Sequence, residues 1–224
     1  MKVVTIAAPK GGSGKTSTTA LLAVRAMQDN QNVAILDLNA DQANLTTWWI
    51  CRGSPFNPYL VSDIENITKD VQVLKASGRF DLLLVDTPPT TMDLIENAVA
   101  VADCVVIPVK TSIFDVSSID SIVEMCKGHH KPFKFLLSAA DTRFKELNAT
   151  ALAALVTDGD VFGTRISYRL PYINALTAGK TGPEISKDLQ AEAHALWTEV
   201  KALAASQWKP PRRMSSTRGR AVNE

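Results

Sequence analysis

The chain reads as an α/β protein built on a mostly parallel, twisted sheet of about seven strands with helices on both faces. Three observations predict it. Apolar strand-like runs alternate with helical patterns along the chain, the order of successive βα units. The runs Val33-Ala34-Ile35-Leu36 and Leu82-Leu83-Leu84-Val85 are apolar throughout rather than alternating, as in strands covered on both faces. Four runs end in a polar or proline-containing loop at the C-terminal edge, where open α/β sheets place their ligands.

In chain order, strands are expected near 2–8, 32–37, 81–86, 103–108, 133–139 and 162–167. Helices are expected near 15–29, 42–51, 60–77, 91–100, 115–127, 143–157 and 184–205, with 53–58 a loop between two of them. Asp115 precedes an apolar helix and reads as its N-cap. In the last helix Ile185, Leu189, Leu196, Val200 and Leu203 recur at spacings of three, four and seven, a core-facing seam. No internal repeat and no second domain are visible.

Composition narrows the function classes. The 224 residues, 46% hydrophobic and 21% charged, fit one domain with a short appendage. No apolar run reaches the ~18–20 residues of a membrane span, and the N-terminus lacks a cleavable signal pattern. Cys51, Cys104 and Cys126 have no metal-like spacing and read as free thiols of a reducing cytoplasm. The net charge of +1 conceals an asymmetry: residues 207–224 carry +4 and the remainder −3. That segment also holds Pro210, Pro211, Ser215, Ser216 and Gly219. The expected division is therefore a folded domain over 1–206 and a basic, disordered tail over 207–224.

The chemistry concentrates where the first strand ends. Lys10-Gly11-Gly12-Ser13-Gly14-Lys15-Thr16-Ser17 lies between an apolar strand and an Ala/Leu-rich helix. Glycines let backbone N–H groups converge on phosphates, and the helix N-terminus adds partial positive charge. Lys15 would reach the β- and γ-phosphate oxygens, and the Thr16 hydroxyl would serve Mg²⁺. The strict GxxxxGK[ST] spacing is not met, because Pro9 stands where its first glycine belongs; a second lysine, Lys10, opens the loop instead. A second element, Phe80-Asp81-Leu82-Leu83-Leu84-Val85-Asp86-Thr87-Pro88-Pro89, is an apolar strand ending in an acid. Asp86 could hold Mg²⁺ through a water, opposite the hydroxyl of Thr16.

KGGxGK[ST] resembles the deviant Walker A loop of the ParA/MinD ATPase superfamily, a group of P-loop NTPases, and the resemblance extends over roughly residues 2–205. It implies ATP and Mg²⁺ as cofactors, bound by residues 10–17. Lys10 would be the lysine that reaches the partner's ATP in a nucleotide-sandwich homodimer. Asp86 matches the family's Walker B acid. Ala102-Asp103-Cys104-Val105-Val106-Ile107-Pro108-Val109 resembles a family strand of architectural role. Pro171 and the Ala139-Ala140-Asp141 turn are base-side candidates. After the second strand the family reads D-x-D-P-Q, where the second Asp orients the attacking water. Here Asp37 matches the first Asp and could lie near the Mg²⁺ shell, but Asn39 stands at the second. An extra residue follows, giving Asn39-Ala40-Asp41-Gln42. A neutral amide is a poor proton acceptor, so hydrolysis is expected to be slow or partner-dependent. Asp41 could swing in as its substitute, serve as N-cap of the next helix, or do both.

The short plasmid partition ATPases of the ParA type match best. They imply an ATP-bound dimer that binds DNA without sequence preference and is reset by a centromere-binding ParB-type adaptor. The protein would be cytoplasmic, nucleoid-associated with ATP, with no membrane partner. DNA contacts are expected from Lys180, Lys187, Lys209, Arg212 and Arg213. An ATP-binding switch that scarcely hydrolyses is the chief alternative; a membrane-cycling relative of MinD type would need an amphipathic C-terminal helix that the tail does not offer. His129-His130 reads as exposed loop, His194 as solvated, and Trp48-Trp49 as part core and part partner surface.

Overall fold

The computed structural model describes residues 1–61, 66–112, 118–141 and 143–208, apart from the Ile173 side chain. Asp115 and the tail residues Lys209, Arg212 and Arg213 lie outside the described residues. The elements follow the order β1 (Lys2–Ile6), α1 (Lys15–Gln28), β2 (Val33–Asp37), α2 (Asn44–Cys51), β3 (Tyr59–Val61), α3 (Ile67–Ala76), β4 (Leu82–Asp86), α4 (Met92–Val101) and β5 (Cys104–Val109). Then come α5 (Asp120–Gly128), β6 (Phe133–Leu137), α6 (Lys145–Asp158), α7 (Leu170–Ala175), α8 (Gly182–Ile185) and α9 (Gln190–Ala205).

The strands form one six-stranded sheet in the order β3-β2-β4-β1-β5-β6, and every pairing is parallel. β1, β2, β4 and β5 are buried nearly throughout, which explains their unbroken apolar sequences. Successive residues serve opposite layers. Val4, Ile6, Ile35 and Leu84 pack against α1, α2 and α9. Val3, Ala34, Leu36 and Val85 pack against α3 and α4, and Val105, Ile107, Phe135 and Leu137 against α4, α5 and α6. The sheet is thus sandwiched between two helical layers.

Four sequence expectations change. The sheet has six strands rather than about seven, because 162–167 forms only isolated bridges, Phe135↔Val161 and Ala140↔Ser167, beside β6. Phe162 and Ile166 N–H groups donate to β6 carbonyls, but those of Gly163 and Thr164 are taken by the Glu199 carboxylate of α9 at 2.8 and 2.9 Å. The strand is interrupted where a side chain outcompetes the ladder. The helix expected over 60–77 is a short edge strand, β3, followed by α3. Its start is fixed at Asn66, whose side chain accepts from the Lys69 N–H at 3.1 Å while Asp70 accepts from the Asn66 N–H at 2.9 Å. Residues 53–58 consequently join a helix to a strand rather than two helices.

The single helix expected over 184–205 is divided: α8 ends at Ile185, Ser186 is extended, a 3-10 turn spans Lys187–Leu189, and α9 follows. Of the expected seam, Leu189, Leu196, Val200 and Leu203 are buried and Ile185 is exposed. Asp29, just past α1, pins α9 through Trp197 Nε1 at 2.8 Å and Lys201 Nζ at 2.9 Å. Packing continues to Trp208, whose ring meets His130 edge-on at 4.8 Å. No helix among the described residues is long and apolar enough to cross a membrane.

Candidate nucleotide-binding site

The site lies at the carboxyl edge of the sheet, where β1, β2 and β4 end side by side: Ile6 pairs with Asp86, and Asp86 with Asp37. The loop after β1 turns back on Gly12 (φ +71°) and Gly14 (φ +97°). Both lie in the left-handed region that favours glycine. Gly14 is the N-cap of α1 and offers no capping side chain, so the first N–H groups of that helix face the cavity uncapped.

Lys15 is buried, and its Nζ donates to the carbonyls of Ala8 at 3.0 Å and Lys10 at 2.9 Å. Burial pushes its pKa down, and the nearby Asp86 partly offsets this. The Thr16 hydroxyl donates to Asp86 Oδ2 at 2.6 Å. The other carboxylate oxygen, Oδ1, is buried without a hydrogen-bond partner among the described residues, as is Ser13 Oγ. Burial, which outweighs the Thr16 hydrogen bond, raises the Asp86 pKa to about 7; Asp37 also raises it and Lys15 opposes. A half-satisfied buried carboxylate beside a hydroxyl is an oxygen donor set suited to a hard cation such as Mg²⁺. A phosphate chain would find the N–H groups around Gly12–Gly14 and the Lys15 ammonium.

Two cavities flank the loop. The first, about 320 Å³, is lined by Gly11–Gly12, Lys15–Ser17, Asn39, Gln42, Trp48 and Pro89 among others. The structure thus brings Asn39 to the same cavity as Lys15 and Thr16. Its Nδ2 donates to Gln42 Oε1 at 3.4 Å. Asp41 is exposed and does not line this wall. Nor does it cap α2, whose N-cap position is Ala43 (φ +44°) with no side-chain bond. Asp37 caps that helix instead: its Oδ2 accepts from the Thr46 N–H and hydroxyl at 3.0 and 3.1 Å, and its Oδ1 from the Asn39 N–H at 3.0 Å. Trp48 is the core member of the Trp48-Trp49 pair: it is buried and donates to the Lys180 carbonyl at 3.1 Å. Half-buried Trp49 donates to the Pro58 carbonyl at 2.8 Å.

The second cavity, about 370 Å³, opens on the other side, between Gly12–Gly14 and Ser17 and a wall including Leu21, Ile166, Tyr168 and Tyr172. Its mixture of apolar and aromatic surface suits a nucleobase. Ala139 of the expected turn lines it. Asp141 is instead held by Arg143 at 2.6 Å, which keeps its carboxyl at about 2. Pro171 sits in the first turn of α7 but is not in the lining; its neighbours Arg169 and Tyr172 are. Glu192 of α9 fixes that wall, accepting from Ser167 Oγ and Tyr172 Oη at 2.5 Å each.

Sequence reasoning missed Ser138, whose hydroxyl donates to the Ser13 carbonyl at 2.6 Å, and Lys110 beside Gly12. Both follow strands adjacent to β1 in the sheet or next to its neighbour, a signal available only once strand order is known. Lys10 lies at the loop's entrance, partly exposed. Lys180 and Lys187 are exposed. His194 Nδ1 accepts from the Arg25 guanidinium at 3.0 Å, His129 meets Glu96 at 3.2 Å, and among the described residues no cluster of three metal-binding side chains occurs.

Comparison with known proteins accords with this geometry. A protein named ParA from Rhizobium radiobacter is 28% identical over 119 residues, 52% of each chain; the chain spans about half the length of that relative. Among solved structures, MinD of Pyrococcus horikoshii with Mg-ADP superposes with a TM-score of 0.70 at 19% identity, covering 91% of this chain and 97% of that one. A plasmid partition protein from Borrelia burgdorferi superposes at 0.64 and 20% identity, covering 90% and 98%. Residues 4–181 match the CobQ/CobB/MinD/ParA nucleotide binding domain, and the chain belongs to that family.

Proposed function

We propose that this chain is an ATP-dependent, dimerising partition ATPase. Two ATP-bound subunits close face to face, Lys10 of each reaching the other's phosphates. The closed dimer binds DNA without sequence preference, and a ParB-type adaptor stimulates hydrolysis and resets it. The observation that carries the reading is the loop itself: a second lysine at its entrance, and behind it a buried lysine, an unpartnered Ser13 hydroxyl and an unpartnered Asp86 oxygen. Bound between Thr16 and Asp86, Mg²⁺ would neutralise developing phosphate charge. The ParA relative and the partition-protein neighbour support the biological setting. ATP switches the protein because it favours the closed state over the open one. In the cell the protein would be cytoplasmic and associate with the nucleoid when ATP-bound.

DNA affinity would come from Lys180, Lys187 and the basic stretch containing Lys209, Arg212 and Arg213. The test is DNA binding with ATP, ADP and no nucleotide across a salt series, alongside mass measurement in solution. The expected result is a dimer and steeply salt-dependent DNA binding with ATP only. Deleting 209–224 should flatten the slope; an unchanged slope would remove the tail from the account and leave Lys180 and Lys187. DNA binding indifferent to nucleotide would reject the reading.

A second reading is favoured by one observation. Asn39 lines the phosphate-side cavity and Asp41 does not, so the chain would act as an ATP-binding switch with very weak intrinsic hydrolysis. Turnover measured with DNA and adaptor separates the two.

A further inference from the structure

β5 ends beside the P-loop and delivers a cation to it. β1 and β5 pair in parallel with Ile6 opposite Val106, and the Ala7 N–H donates to the Val106 carbonyl at 3.1 Å. β5 is buried to its last residue, Val109, whose carbonyl accepts from the Ser138 N–H at 2.9 Å. The backbone that presents Lys110 is therefore held on both sides. Lys110 Nζ stands 3.4 Å from the point a Cβ on Gly12 would occupy. With no side chain at Gly12, the ammonium lies directly over the loop.

Two further observations give that placement meaning. Lys110 lines the same cavity as Gly12, Ser13, Gly14 and Ser17. Among the described residues it has no hydrogen-bond or ion-pair partner, whereas Lys15, Lys127 and Lys201 are each engaged. A lysine ammonium has three donors and no acceptor and acts as a compact point charge. A nucleobase offers it no charge; a phosphate chain does. The same cavity also carries the apolar and aromatic side chains Leu21, Ile166 and Tyr168, which suit a base rather than a charge.

We propose that Lys110 is a nucleotide-positioning residue whose ammonium pairs with the polyphosphate chain held by its own subunit's P-loop. This rests on the nucleotide-binding reading. The loop then meets its ligand with two cations of its own subunit, Lys15 from the start of α1 and Lys110 from the end of β5, while Lys10 serves the partner's nucleotide. Because Lys110 acts within one subunit, it serves ADP as well as ATP and does not require a closed dimer.

The test is equilibrium binding of fluorescent ADP and ATP analogues to the full chain, with Lys110→Gln, Lys110→Arg and, as control, Lys15→Ala. Lys110 is exposed, so its variants should fold, which thermal melting checks. Lys110→Gln should weaken both nucleotides about tenfold, the order of one charge-assisted contact, and reduce the salt sensitivity of binding. Lys110→Arg should restore most of the affinity. Unchanged binding of both nucleotides by Lys110→Gln overturns the proposal. Weakening of ATP alone, at concentrations where the protein dimerises, overturns the own-subunit assignment. If the unmodified chain binds no better than Lys15→Ala, the nucleotide-binding reading itself has failed and the proposal falls with it.

Discussion

Two loops border the 320 Å³ cavity, and their polar groups are in opposite conditions. On the P-loop side, Lys15 rests on two backbone carbonyls, while Ser13 Oγ and Asp86 Oδ1 are buried with no partner among the described residues. On the 37–46 side, both oxygens of Asp37 are already in use, capping α2 and holding Asn39. Buried polar groups left unpaired are costly, so the first loop is arranged for a ligand. The second is internally satisfied and presents a neutral amide. On the proposed reading the difference separates binding from hydrolysis: the first loop leaves a hydroxyl and a carboxylate oxygen unpaired among the described residues, and the second holds Asn39 where a proton acceptor is expected.

That contrast can be broken or sharpened by substitution. The largest effect should come from Asp86. Its folded-state pKa is raised from 3.8 to about 7, so the ligand-free fold is penalised when the carboxyl ionises. Stability attributable to this group is fully present below the unfolded value and is lost as pH rises through about 7. Denaturant titrations of the ligand-free chain should fall by up to about 4 kcal/mol across that window, and Asp86→Asn should flatten the curve. Superimposable curves for the two proteins would show that the orphaned oxygen is not the penalised group. Mg²⁺ dependence of nucleotide binding should disappear in the same variant.

Next is Lys15→Ala, expected to weaken ATP by ~3 kcal/mol, roughly 100-fold, as a desolvated phosphate-facing cation is lost. Calorimetry gives the number directly. A smaller effect, about tenfold on single-turnover hydrolysis, is expected from Asn39→Asp, because a carboxylate accepts a proton where an amide does not. Asp41→Ala should leave the rate unaltered, since that side chain is exposed and away from the cavity wall. The smallest is Thr46→Ala, which removes one of the Asp37 bonds at the start of α2. It should lower stability by ~1 kcal/mol and shift the melting temperature by a few degrees, about 2–4 °C, without altering nucleotide affinity.

The same contrast governs what was legible in the sequence. The P-loop and Asp86 were readable because glycines, lysines and a terminal acid at fixed spacing have few other uses, and the buried strands because their apolar runs are continuous. The role of Asp37 was not: a carboxylate nine residues ahead of Thr46 reads equally well as a metal-side group, and only the folded loop shows it capping α2. β3 escaped notice because three half-buried residues, Tyr59–Val61, carry no periodicity; Tyr59 is placed by stacking on Phe80 at 5.6 Å, far away in sequence. The break at 163–164 depended on Glu199, some 35 residues on. Lys110 became visible only when strand order set β5 against β1. Local chemistry was readable, whereas contacts between distant segments had to be seen.

The most direct test of the division between the two loops measures ATP affinity and single-turnover hydrolysis in parallel for the unmodified chain and Asn39→Asp. The account predicts equal affinities, with hydrolysis slow in the first and about tenfold faster in the second. Equal rates, or a loss of affinity on introducing the carboxylate, would contradict it.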